Sequence, residues 1–263
     1  MIARIRTDAP AFTGLTLFIA LAAIPLLAAA MIDPREFLGA PVWQKPLQFH
    51  LALVVYTLTL AFFARFLPQG MTPRPWRIYA AVVTACILAE LVWVGGAAST
   101  ATASHFNTDD PMMSRIYGLM GVAAVILTSA SLVMGVAIWR NPATGLDPAV
   151  RLGVALGLIL TFVLTLIAAG TLSSMPGHHV GTAVTGAALP VLGWSREVGD
   201  LRVGHFFATH ALHVIPVVGW LANRAVPALA RPLVWAASAG FCALVGFTMW
   251  QAFQGQPFLP WLG

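Results

Sequence analysis

The sequence predicts an all-α fold, a polytopic membrane helix bundle of seven transmembrane helices. Three observations predict it. Of 263 residues, 59% are hydrophobic and only 9% are charged, with a mean hydropathy of +0.84; a soluble domain of this size needs far more polar surface. The apolar residues fall into seven runs, each long enough to cross about 30 Å of hydrocarbon at about 20 residues per helix. The arginines cluster between the runs rather than within them. A net charge of +5 would suggest nucleic acid in a soluble protein. Here membrane topology explains the arginines, and no nucleic-acid partner is expected.

The helices are expected over residues 11–32, 47–67, 78–99, 112–139, 152–174, 202–223 and 232–253, all within one transmembrane domain spanning 1–263. Only helices satisfy their own backbone in lipid without closing a barrel. The first run follows Met1-Ile-Ala-Arg-Ile-Arg and ends Ala28-Ala29-Ala30, as a signal peptide would. Its length suits a first transmembrane helix better. Asp110-Pro111 reads as an N-cap and N1 proline opening the fourth helix, and Asp200 caps the sixth. Pro142 marks a helix end and Pro232 a helix start. Pro216 lies inside the sixth helix, where it removes the amide that would bond the Leu212 carbonyl and predicts a kink. Cys86 and Cys242 sit in apolar runs without a pattern and read as packing residues.

Orientation follows from the helix ends. One side carries Arg4, Arg6, Arg65, Arg74, Arg77, Arg140, Arg151, Arg224 and Arg231, with Asp8 and Asp147. The other carries Arg35, Lys45, Arg115, Arg196 and Arg202, with Asp33, Glu36, Asp109, Asp110, Glu197 and Asp200. The arginine-rich side is expected to be cytoplasmic. That places the N-terminus inside, the C-terminus in the periplasm, and the chain in a bacterial inner membrane. All seven histidines then fall on the periplasmic side: His50, His105, His178, His179, His205, His210 and His213. Imidazole is the commonest metal ligand and a ready proton carrier, so this distribution suggests one functional face.

The sixth helix carries the densest part. At 100° per residue, His205, His213 and His210 lie at about 0°, 80° and 140°, and Arg202 and Thr209 share that arc. His210 and His213 are close enough to share one ion or one proton path, at depths of about 10 and 15 Å. Glu90, the one acid deep in any run, is a functional candidate by position. The longest loop on the histidine side, 174–201, holds His178-His179; Trp194 and Leu192 suggest that it folds back over the helix ends. There is no HExxH, CxxC, phosphate loop or GxSxG elbow. No lysine sits mid-helix to hold retinal, since Lys45 is the sole lysine and lies at a helix entrance.

Ser104-His105-Phe106-Asn107 and Gly199-Asp200-Leu201-Arg202, followed by His205-Phe206 and His210-Ala211-Leu212, resemble motifs of a family of small multi-helix bacterial membrane proteins with no assigned reaction. The resemblance covers the third to sixth helices. It implies that His105, His178, His205, His210 and Glu90 are the shared polar positions, with His50, His179 and His213 additional to them.

The leading function is therefore a metal- or haem-binding membrane protein, a redox or metal-dependent enzyme acting on a lipophilic or small substrate such as a quinone. Glu90 and His210 are its candidate catalytic residues. A non-haem Fe, Cu or Zn site would draw on His105, His178, His205, His210 and Glu90. Haem b would use His205, His210 or His213 axially, with Arg196 and Arg202 holding its propionates. Two other classes fit: a proton- or cation-coupled transporter, and an accessory or pigment-binding subunit. Partners are the bilayer and, beyond it, either further copies or a larger membrane complex.

Overall fold

The computed structural model describes residues 2–107 and 110–262, so Asp109 lies outside the described residues. Among the described residues, seven helices are long and apolar enough to cross a membrane, making this a multi-pass membrane protein. The chain packs as two compact units, one of residues 1–130 and 141–144, the other of 131–140 and 145–263.

In the first unit a short helix α1 (Ile2–Asp8) leads into α2 (Pro10–Ile32), whose first turn opens on proline. A two-residue turn, Leu38-Gly39, joins β1 (Glu36–Phe37) to β2 (Ala40–Pro41). Both turn residues have positive φ, 51° and 75°, the conformation that suits a tight hairpin. Then come α3 (Gln44–Phe63), which tightens into a 3-10 turn through Phe66, the extended segment β3 (Pro68–Met71), α4 (Arg74–Ser99) and α5 (Pro111–Arg140), whose residues from 131 on belong to the second unit. Phe12, Ile19, Leu60, Val83 and Ile87 are buried. Leu17, Phe18, Leu21, Ile24 and Leu27 of α2 are each more than half exposed, the pattern of a helix whose other face meets lipid. Hydroxyls join the helices inside: Thr16 to Thr57 at 2.7 Å, Tyr79 to Ser129 at 2.6 Å, and the Tyr56 hydroxyl to the Leu127 carbonyl at 3.0 Å. At one end Arg35 donates to the Ser99 carbonyl at 3.0 Å and clasps Asp33, which also accepts from the Trp43 indole. Those Arg35 and Trp43 bonds hold the Asp33 carboxyl well below the usual carboxylate range.

The second unit is built on α6 (Pro148–Ser173), α7 (Leu201–Ala225) and α8 (Ala230–Phe253), with a two-residue ladder between β4 (His179–Val180) and β5 (Gly199–Asp200). Leu152, Leu156, Ala208, Ala211, Ile215, Val234 and Phe241 form its core. The helices α6 and α7 approach to backbone contact. A Cβ on Gly157 would stand 2.8 Å from Pro216 Cδ and 3.0 Å from the Ala211 carbonyl, and one on Gly153 would stand 3.0 Å from the Ile215 carbonyl. One turn on, Thr161 donates to the Gly157 carbonyl at 2.9 Å and accepts from the Leu212 amide at 2.8 Å.

All seven expected helices are present, and Asp110 and Asp200 cap α5 and α7 through their side chains. Starts are the main correction. Helix α3 begins at Gln44 rather than 47, α4 at Arg74 rather than 78, and α6 at Pro148 rather than 152, because proline and arginine fit a first turn that hydropathy alone leaves outside. Pro232 is not a helix start. A 3-10 turn from Pro227 runs directly into Ala230, so Pro232 sits within the first turn of α8, where its missing N–H costs little.

The α6–α7 contact generates a direct test. Gly157→Val should destabilise the protein by about 1–3 kcal/mol through overpacking. Gly170→Ala, in the same helix with nothing within 4 Å of its Cβ position, should be neutral or stabilising. Thermal unfolding in detergent distinguishes the two.

Candidate functional site

The polar residues near α7 fall into two groups. The first is a knot around Asp200. As N-cap of α7 its carboxylate accepts from the Arg202 amide at 3.0 Å and from the Arg202 guanidinium at 2.6 Å, and takes the Ser195 amide at 3.0 Å. His179, opposite Asp200 across the β4–β5 ladder, places Nε2 3.6 Å from the same carboxylate, and the His178 and His179 rings touch at 4.2 Å. Burial works to raise the Asp200 carboxyl, but the His179 and Arg202 bonds, the Arg202 charge and the Ser195 amide overcome it. The group is held well below the usual carboxylate range.

This knot orders the 174–200 loop. Arg202 also donates to the Gly193 carbonyl. Glu197 turns back to accept from the Val184, Thr185 and Ala187 amides and from the Thr185 hydroxyl, bonds that lower its carboxyl to about 2. Trp194 is thereby delivered into the fold at 6% exposure, as expected, whereas Leu192 stays 38% exposed. The Trp194 ring packs on Phe206 at 5.1 Å and on Phe258 at 5.7 Å.

The second group lies deeper on α7. Phe206 stacks on His210 at 4.2 Å, and His210 Nδ1 lies 3.0 Å from His213 Nδ1. That bond requires one ring to carry its proton on Nδ1 and the other to leave Nδ1 bare. A continuous aromatic column thus runs from Phe258 through Trp194 and Phe206 to an imidazole pair.

The remaining residues are placed as follows. His205 has a buried Nδ1 without a hydrogen-bond partner among the described residues. Arg196 donates to the Phe258 and Leu259 carbonyls, and Arg202 is committed to Asp200 and Gly193; both cations hold the fold in addition to any ligand role. In the first unit Lys45 Nζ and Ser104 Oγ each lie 3.0 Å from His105 Nδ1. Ammonium only donates, so Nδ1 accepts and the His105 ring proton sits on Nε2. The Trp93 indole fixes this loop by donating to the Ser104 carbonyl at 2.7 Å, and Phe106 takes a left-handed φ of 62°. His50 is buried, with Nδ1 2.8 Å from the Pro46 carbonyl. Glu90 is 4% exposed, with Oε2 making no hydrogen bond among the described residues. Lys45 carries a charge that acts on it.

Of the expected donor set His105, His178, His205, His210 and Glu90, the first and last therefore belong to one unit and the others to the second. Among the described residues, no three His, Cys, Asp or Glu side chains are grouped to hold a metal ion; four of the histidines gather as two pairs, His178 with His179 and His210 with His213. The Lys45–His105 bond, across 60 residues, carries no local sequence signal. Tyr117, whose ring stands 5.6 Å from His105, carries none either. Comparison with known proteins returns no matching family model, no matching curated protein and no matching solved structure.

The knot predicts an acid-dependent stability. A carboxyl held below its ordinary 3.8 stabilises the fold at every pH above that value, and the stabilisation drains away as pH falls through the folded value. Asp200→Asn should cost about 2–3 kcal/mol at pH 7, leaving the Arg202 charge half-partnered. The gap to the wild type should narrow below about pH 4, read by thermal unfolding across pH.

Proposed function

We propose that the chain is a protein of the bacterial inner membrane that holds one transition-metal ion at His210 and His213, near the periplasmic face, as the centre of a redox or metal-dependent enzyme. The observation that carries this reading is the 3.0 Å separation of the two Nδ1 atoms. With imidazole–metal bonds of about 2.0–2.1 Å, that separation subtends about 95° at a shared ion. Two adjacent coordination positions are filled in this way. Among the described residues no third His, Cys, Asp or Glu joins this pair, so the other positions fall to water or substrate. Fe, Cu and Zn all accept imidazole.

The same geometry favours a single ion over haem b. Axial ligands of a haem stand on opposite faces of the ring, whereas these two donors are neighbours on one side of one helix. Arg196 and Arg202, the expected propionate partners, already bond protein acceptors. The surroundings suit a lipophilic or small substrate: the pair lies in an apolar helix under Phe206, with hydrocarbon as the neighbouring phase. The arginine distribution supports the orientation, which sets the histidine-rich ends of the helices in the periplasm.

Elemental analysis with an absorption spectrum tests the reading. One equivalent of Fe, Cu or Zn is expected, without a Soret band. His210→Ala and His213→Ala should each weaken metal binding by about 100-fold, while His50→Ala retains it. A Soret band, or metal content unchanged in both variants, would overturn the assignment.

A further inference from the structure

The first unit carries a polar group that its own fold leaves unfinished. Glu90 lies nine residues from the end of α4, in a run that is otherwise apolar, and is 4% exposed. A carboxyl at that depth is costly unless it is bonded, yet Oε2 has no partner among the described residues. Its neighbours do not explain it as packing. Lys45, at the start of α3, acts on Glu90 by its charge and bonds His105 directly at 3.0 Å. His105 in turn is walled by aromatic rings, Phe49 at 5.9 Å and Tyr117 at 5.6 Å, with Phe106 5.9 Å beyond Tyr117. The backbone here is held in an uncommon shape, with Phe106 at φ 62° and Ser104 pinned by Trp93. Such strain persists where the surroundings impose it, and it clusters at ligand sites.

An open acceptor in the membrane, a cationic and imidazole pair nearby, and aromatic walls together describe a complementary ligand. That ligand has a flat ring, a hydroxyl to donate to Glu90, a second oxygen to meet the Lys45–His105 end, and an apolar tail. Water-soluble ligands do not reach a carboxyl at this depth from the bilayer, whereas a lipid-borne ring does. We propose that Lys45, His105, Tyr117 and Glu90 form a binding site for the head group of a quinol, with Glu90 Oε2 accepting one of its hydroxyls. The site stands apart from the metal reading of the second unit and does not require it.

Because the Glu90 end accepts a hydrogen bond, the site should prefer the reduced ring, whose oxygens carry protons, over the oxidised one. The probe is a short-tailed benzoquinol, 2,3-dimethoxy-5-methyl-6-decylbenzoquinol, titrated anaerobically into the full chain in lipid nanodiscs by calorimetry. Empty nanodiscs correct for partitioning, and the matching quinone is run in parallel. The wild type should bind the quinol about tenfold tighter than the quinone. Glu90→Gln should abolish that preference and weaken quinol binding by about tenfold. Tyr117→Leu, which leaves the carboxyl in place, should weaken both forms by about fivefold. His210→Ala should leave quinol binding unchanged, so failure of the metal reading and failure of this one are told apart. No saturable quinol binding by the wild type overturns the proposal, as does an unchanged affinity in Tyr117→Leu or a preference retained in Glu90→Gln. If Glu90→Gln does not fold, the Tyr117→Leu and quinone measurements decide.

Discussion

The bond from the Leu212 amide to the Thr161 hydroxyl joins α7 to α6 one turn before Pro216. Hydrocarbon offers no water to a stray backbone group, so a proline in a membrane helix needs neighbours that can approach closely and bond. Helix α6 allows that approach with Gly153 and Gly157, which let the Pro216 ring reach its backbone, and Thr161 one turn further on adds a bond to the Leu212 amide. This contact sets the rotation of α7. Ala211, Leu212 and Ile215 are buried, which leaves His210 and His213 to flank that buried strip and meet each other. The imidazole pair is thus a consequence of how the helix is seated.

The two units treat buried polarity differently. In the second, the carboxylates at the head of α7 are tied to protein partners: Asp200 to Arg202, His179 and Ser195, and Glu197 to a curl of backbone amides. The result is a rigid cover that brings Trp194 against Phe206. In the first, the Asp33–Arg35–Trp43 clasp is equally complete, but Glu90 is not. Glu90 is the carboxylate among the buried groups left open in the described residues, and a carboxylate oxygen left open at that depth calls for a partner.

The long elements were legible because hydropathy and capping are local. Seven apolar runs, Asp110 before Pro111 and Asp200 before Leu201 each announce a helix from neighbouring residues. The His210–His213 contact was legible for the same reason, since residues three apart share a helix face. What depends on distant pairing was not. Lys45 reads as a helix-entrance lysine until the loop at 104–105 is brought to it. Arg196 and Arg202 read as cations for haem propionates, with no local sign that Phe258, Leu259 and Gly193 supply them with carbonyls. Pro232 reads as a helix start because prolines favour first turns, and only the 3-10 turn upstream shows that the turn had already begun. The small hairpins escape hydropathy because two-residue strands have no periodicity to detect.

The β5 strand is pressed so closely on the end of α8 that a Cβ on Gly199 would lie 1.9 Å from the Ala252 carbonyl, and Arg196 reaches two carbonyls beyond that helix. The cover over the imidazole pair therefore leans on residues that follow α7 in the chain. During synthesis α7 is made before its cover has anything to rest on, and the pair stays uncovered until α8 and the residues that follow it are in place. A chain that stalls before α8 would therefore present His210 and His213 without enclosing them.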